Sequence, residues 1–571
     1  MNQLFYGDNL QVMRDRAHFP DELVDLIYLD PPFNSKRDYN LLFNTPEGQA
    51  NEAQVEAFKD TWQWDAQAER EFDELLHQPN TSVAGMMKAM RAFLGENDMM
   101  AYLTMMANRL LEMHRVLAST GSLYLHCDPT AAHYLKMVLD GVFGQEFFRS
   151  EIIWRRTNAH NKLTHQFGPI HDTIFFYTKS DEFTFHPGTT PYSRTYIESR
   201  FVNEDKYGRY QTNYLTGPGK RSGESGVEWG GFNPTMAGRH WAIPASLRQF
   251  LPDNGKGMKT VQMLDSLRKQ DFIVFPKKAG GQPMYKQYIG PGVLYQDIWS
   301  YQPNTNGVLF GSNACIDEDV KYLESEEEML GYPTQKPLGV LERIITTSSD
   351  EGDMVLDPFC GCGTAVHAAQ KLKRKWIGID ITHFAISLIE KRLKDAFGVR
   401  CKFEVHGTPK DLESACDLAK RDKYQFQWWA VSLVDAQPWQ GKKKGADTGI
   451  DGIKFFRDLD KKEVRTILVS VKGGEHVGPA MVKDLIATIA REKAEVGLFV
   501  TLTEPTKAMT TEAVAAGFYE SPNGKKFPRL QILTIEDLLS GQRRAEHPDY
   551  EPALNFKKAQ AEANVEQKNL I

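Results

Sequence analysis

The stretch from Met354 to Asp380 constrains the fold most. A β-rich run, MVLD, stops at Asp357. The segment Pro358-Phe359-Cys360-Gly361-Cys362-Gly363 reads as a tight turn, Thr364 opens a helix-like AVHAAQKL, and WIGID is a second β-rich run ending on Asp380. Strand, turn, helix, strand in that order predicts parallel neighbours in one sheet with a helix on its face. The glycines let a ligand approach the backbone closely, and the helix start offers free N–H groups to an anion. Asp380, sixteen residues after Thr364, suits a ribose diol. The spacing is neither GxGxxG nor a phosphate loop. The expected ligand is a nucleoside cofactor.

A second motif narrows the chemistry. Leu23 to Asp30 (LVDLIYLD) is an apolar β-rich run, and Asp30-Pro31-Pro32-Phe33 follows its end. A carboxylate there points into the crevice where α/β sheets bind ligands. Two prolines fix φ and remove two N–H donors, which leaves carbonyl acceptors in one geometry. Asp30 can accept one hydrogen of an exocyclic amino group, the Pro31 carbonyl the other, and Phe33 can stack on a planar ring. Accepting both hydrogens localises the nitrogen lone pair and turns a poor nucleophile into one able to attack a methyl group. An Asp-Pro turn is common on its own; the pair of motifs carries the reading.

The 571 residues give a soft expectation of three or four domains. Segments 1–185 and 331–410 alternate strand-like and helix-like runs, among them the helix-like Met99–Leu117 and the strand SLYLHCD. Residues 186–330 are aperiodic and rich in Gly, Pro and aromatics. Residues 424–545 form a last α/β unit after a helical linker at Thr408–Lys423, and 546–571 read as a polar, poorly ordered tail. The net charge of −7 argues against a generic polyanion binder. Between 190 and 300, however, fifteen Lys and Arg face nine Asp and Glu. Six Cys with no CxxC pair give little support to zinc or redox sites. No apolar run approaches membrane length, and the first residues lack a basic stretch followed by an apolar one, so a cytoplasmic location is the expectation.

DPPF together with DPFCGCGT resembles the S-adenosylmethionine-dependent DNA amino-methyltransferases, in the motif order of their β class. LIYLDPPFNSKRDYN, GSLYLHCDPTAAHYLKMVLDGVFG, EIIW, HDTIFFYTKS and YPTQKPLGVLERII are similar to modification subunits of type III restriction systems. The resemblance covers about residues 1–400. It implies a Rossmann-like α/β methyltransferase fold with permuted motif order, S-adenosylmethionine as cofactor and double-stranded DNA as partner, with the target base flipped out of the duplex. By the same resemblance Asp30, Pro31 and Pro32 hold the target amino group and Phe33 stacks on the base. Asp357, Phe359, Gly361, Gly363 and Thr364 line the cofactor pocket, and Asp380 binds the ribose. Gln335, Lys336 and Pro337 pack beside the methionine end. Asp8 lies near the adenine, a place for which EVHGTP (404–409) competes. Asp as the first residue of DPPF favours adenine N6, with cytosine N4 the alternative. The basic 186–330 region corresponds to an inserted target-recognition domain, with Lys220, Arg221 and Arg239 as DNA contacts. A homodimer and a restriction-system partner subunit are family-level expectations.

The C-terminal unit resembles PD-(D/E)xK restriction endonucleases of the Mrr branch, in GIDG, VKGG, LFVTL and LQILTIEDLL. Asp451, Ser470 and Lys472 occupy the nuclease positions. Ser470 stands where a carboxylate or Gln is usual, and a hydroxyl is a weaker ligand for a hard dication. Asp447 or Glu475 is the candidate substitute, which spacing alone does not decide. Asp451 would hold Mg²⁺ only in a cleaving domain, and the alternative is a module that binds DNA or a partner without cutting. From 441 to 480 nine Lys and Arg face six Asp and Glu, which fits DNA contact either way.

Overall fold

The computed structural model describes the chain except residues 33–37, 45–49, 60–61, 156–164, 166–168, 191, 193, 279, 291, 301–327, 329, 331, 333, 399–400, 440–448, 460–462, 475, 549–558, 560 and 563–571. Two compact units separate. One takes Met1–His186 and resumes at Gln296; the other takes Pro187–Tyr295.

The first unit is built on a nine-stranded sheet: β1 (Asn2–Tyr6), β2 (Val24–Leu29), β3 (Leu117–Cys127), β4 (Phe148–Arg155), β5 (His171–Thr178), β6 (Ile298–Ser300), β7 (Met354–Asp357), β8 (Lys375–Asp380) and β9 (Phe403–His406). Their order is β6-β4-β5-β3-β2-β7-β8-β1-β9. Only β5 runs antiparallel to its neighbours. Strands β2, β7, β8 and β1 are consecutive and parallel, so their C-terminal ends share one edge.

Both faces of this sheet are covered, which is why its strands read as continuous apolar runs. Alternation along β2 sends Ile27 and Leu29 to one core and Leu26 and Tyr28 to the other. Helix α1 (Asn9–Arg14) and the long helix α2 (Asp98–Val116) pack on the first face through Met13, Leu103, Met106 and Leu110. Helices α3 (Thr364–Lys371) and α4 (His383–Phe397) cover the second, where Val366, Trp376, Ile389 and Leu393 meet. Each fully buried side chain of this kind contributes about 1.5–3 kcal/mol. Strand β6 lies inside the 186–330 segment expected to be inserted, yet it belongs to the main sheet, paired in parallel with β4.

The Pro187–Tyr295 unit holds a four-stranded antiparallel sheet, with Leu215, Trp229, Trp241, Leu264 and Phe272 as its core. The C-terminal part of the chain carries a separate five-stranded sheet of Gln437–Pro438, Gly452–Arg457, Val464–Lys472, Val496–Thr501 and Leu530–Thr534, the last three parallel. In the tail expected to be poorly ordered, Glu562 is anchored: its carboxylate meets His367 at 3.0 Å and Lys371 at 3.3 Å. Among the described residues no helix is long and apolar enough to cross a membrane.

Candidate active site

Four carboxylates gather at the shared edge: Asp30 after β2, Asp357 at the end of β7, Asp380 at the end of β8 and Asp8 after β1. Such an edge is where doubly wound sheets bind ligands.

Asp30 is 15% exposed and forms an ion pair with Lys336 through Oδ2. Its Oδ1 is buried with no hydrogen-bond partner among the described residues. An unsatisfied buried carboxylate oxygen is costly unless a ligand supplies a donor. Pro31 is buried and Pro32 half-buried beside it, while Phe33 lies outside the described residues. Beneath Asp30 on the same strand, the Tyr28 hydroxyl meets His126 Nδ1 at 2.9 Å, and His126 Nε2 meets Asp172 at 3.2 Å. All three are buried, so the end of β2 rests on a packed polar chain.

The glycine turn follows β7. Asp357 is buried and accepts the Phe359 N–H at 3.1 Å; burial, with Asp30 and Asp380 nearby, pushes its carboxyl well above the usual range. Gly361 and Gly363 have φ of 49° and 75°, the left-handed region. The Tyr332 ring covers Gly361, lying 3.3 Å from where a Cβ would stand. Gly363 caps α3 without any side-chain bond, so the first N–H groups of that helix are open to an anion. Thr364 faces inward and accepts from the buried Arg392 at 3.1 Å.

Asp380 stands at the end of β8 beside the glycine turn. It accepts from the Gly361 N–H at 2.9 Å and from the Thr382 N–H and hydroxyl at 2.9 Å each. Burial raises its carboxyl to about 6. Asp8 caps α1 by accepting the Gln11 N–H at 3.1 Å, and pairs with Arg109 of α2 at 2.6 Å. Gln335 is buried and bonded to the backbone of Glu328 and Leu330, and Pro337 precedes the helix Leu338–Ser348. Of the TQKP segment it is Lys336 that enters the cleft, and it does so against Asp30.

The sequence reading missed Asn9, Arg109, Tyr332 and Arg392. An arginine on the largely apolar, buried stretch MMANRLL of a helix is the one available signal. In the other unit Lys220 and Arg221 are exposed. Arg239, expected at DNA, is committed to Thr216 through bonds of 2.6 and 2.8 Å. At the C-terminal site Asp451 and Ser470 do come together at 3.4 Å, but Asp451 also takes the Val471 N–H at 2.6 Å and Gln427 Nε2 at 3.0 Å. No cluster of metal-holding side chains occurs among the described residues; Asp447 and Glu475 lie outside them.

Comparison with known proteins gives the family. The chain is 30% identical over 295 residues to the type II methyltransferase M.EcaI of Enterobacter cloacae, covering 51% of this chain and 57% of that protein. It is 24% identical over 391 residues to the StyLTI Mod subunit, a type III restriction-modification enzyme of Salmonella typhimurium, covering 66% of this chain and 50% of that protein. The chain thus spans about half the length of these curated relatives. Among solved structures, the cytosine-N4-specific PvuII DNA methyltransferase aligns at 13% identity and a TM-score of 0.29, over 68% of this chain and 86% of that one. Residues 432–540 match the family described as NACHT-associated inactive restriction endonuclease 1. Residues 24–391 match the DNA methylase family of N6 and N4 enzymes, and with well over half its length inside that match the chain belongs to the DNA methylase family.

Proposed function

We propose that the chain is a site-specific DNA methyltransferase acting on the N6 amino group of adenine, within a restriction-modification system. The observation that carries this reading is the buried, unpartnered Oδ1 of Asp30 at an edge shared with Asp357 and Asp380. The residues fit a nucleoside cofactor: an uncapped helix start after a left-handed glycine turn, and a buried acid on the neighbouring strand. When bound, S-adenosylmethionine supplies the electrophilic methyl group. The side chains do the rest. Asp30 Oδ1 accepts one amino hydrogen, the Pro31 carbonyl the other, and Phe33 holds the flipped ring. Asp380 orients the ribose, and Gly361 to Thr364 receive the methionine end. Orientation of the in-line attack is the main contribution of the protein.

The C-terminal domain, in this reading, contacts DNA or a partner subunit without cutting. Ser470 replaces the second acid, Asp451 is tied to Val471 and Gln427, and the similar family is described as inactive. A restriction subunit is the natural partner class, by analogy with the Mod relative.

The test is transfer of label from methyl-tritiated S-adenosylmethionine to mixed-sequence DNA. The wild type transfers; Asp30→Ala does not, yet still binds S-adenosylhomocysteine. No transfer by the wild type refutes the reading.

A further inference from the structure

The Arg109 guanidinium sits where two cofactor-facing loops meet. It comes from the core helix α2 and is nearly buried, with 8% of its side chain exposed. Its Nη2 donates to Asp8 Oδ2 at 2.6 Å, its Nε to Asn9 Oδ1 at 2.6 Å, and its Nη1 to the Met105 carbonyl at 3.1 Å. Asn9, itself buried, passes the connection on: its Nδ2 donates to the Pro358 carbonyl at 2.7 Å. The orientation of the Asn9 amide follows from its neighbours. A guanidinium can only donate and a carbonyl can only accept, so the oxygen must face Arg109 and the nitrogen Pro358.

Pro358 is the first residue of the glycine turn, and Asp8 ends the loop after β1. That loop is further tied by the Gly7 N–H to the Asp380 carbonyl at 2.9 Å. One cation therefore ties the glycine turn, through Asn9, to the loop after β1, through Asp8. We infer that Arg109, acting through Asn9, is a positioning residue for the cofactor turn: it sets cofactor affinity without touching substrate. The inference rests on the cofactor reading proposed above. Planar forked geometry is essential to it, since a Lys ammonium can make a point contact but cannot hold Asn9, Asp8 and the Met105 carbonyl in one plane.

The decisive variant is Asn9→Asp. It is nearly isosteric and keeps an acceptor for Arg109, but it sets a carboxylate oxygen against the Pro358 carbonyl. Arg109→Lys is the second variant, should Asn9→Asp not fold. Calorimetric titration with S-adenosylhomocysteine and fluorescence anisotropy with a mixed-sequence duplex read the two ligands separately, with thermal unfolding as the check on the fold. The expected result is at least a tenfold weaker S-adenosylhomocysteine affinity in either folded variant, with duplex affinity within twofold of wild type. Unchanged S-adenosylhomocysteine affinity, or a parallel loss for both ligands, overturns the positioning role. A wild type that binds no S-adenosylhomocysteine overturns the cofactor reading itself.

Discussion

Lys336 donates to the carboxylate of Asp30, a residue 306 positions away in sequence. The pair is largely shielded from water, at 11% and 15% side-chain exposure, in a cleft that also holds Asp357 and Asp380. Breaking one partner of such a pair leaves the other charge uncompensated. Lys336→Met is expected to slow methyl transfer by at least about tenfold, equivalent to about 1.4 kcal/mol. Lys336→Arg should retain more activity than Lys336→Met. Steady-state transfer by Lys336→Met at the wild-type rate contradicts the role.

Asp380 gives the site a pH dependence. Burial favours its neutral form and raises it to about 6, whereas the free carboxylate titrates near 3.9. On the proposed role of Asp380, its ionised form is the better acceptor for ribose hydroxyls, so cofactor affinity should be full well above pH 6 and fall as pH drops through it. The sign for folding is the opposite: the fold is penalised as pH rises from about 4 to 6, because ionisation is then harder in the folded state. Calorimetry with S-adenosylhomocysteine from pH 5 to 8 should show the loss centred near 6, and Asp380→Asn should remove that inflection.

Gly363 has φ of 75°, and a Cβ placed on it would lie 2.8 Å from Ile389 Cγ1. Gly363→Ala combines backbone strain with overpacking, at a cost of about 1–3 kcal/mol. Denaturant unfolding should register that loss, with weaker S-adenosylhomocysteine binding beside it. Wild-type stability and affinity together rule out the assigned geometry.

Asp451 ties the start of the Gly452–Arg457 strand to the end of Val464–Lys472 by accepting the Val471 N–H at 2.6 Å. Asp451→Ala frees the buried Val471 N–H and Ser470 and should lower the stability of that domain by about 1–3 kcal/mol. Millimolar Mg²⁺ should produce no DNA cleavage by the wild type. Mg²⁺-dependent cuts that vanish in Lys472→Ala would show an active nuclease.

Much of this arrangement is local and therefore readable in the chain. Strands that stop on Asp30, Asp357 and Asp380 announce themselves by apolar runs followed by proline or by a downstream helix, and the glycine turn by its residues. What escaped depends on long-range packing. Nothing near Lys336 points to Asp30, and nothing near Asn9 points to Pro358. Nothing near Arg239 in the chain points to Thr216, which takes its Nε and one Nη. Strand β6 has three residues in an aperiodic stretch, too few for a period, and is fixed by its register with Ile153 and Trp154.

The central claim is tested most directly by nucleoside mass spectrometry of DNA from cells expressing the chain, beside cells expressing Asp30→Ala. The account predicts N6-methyladenine at one recurrent sequence in the first and none in the second. N4-methylcytosine in its place would contradict the assignment to adenine, and unmodified DNA would contradict the methyltransferase reading as a whole.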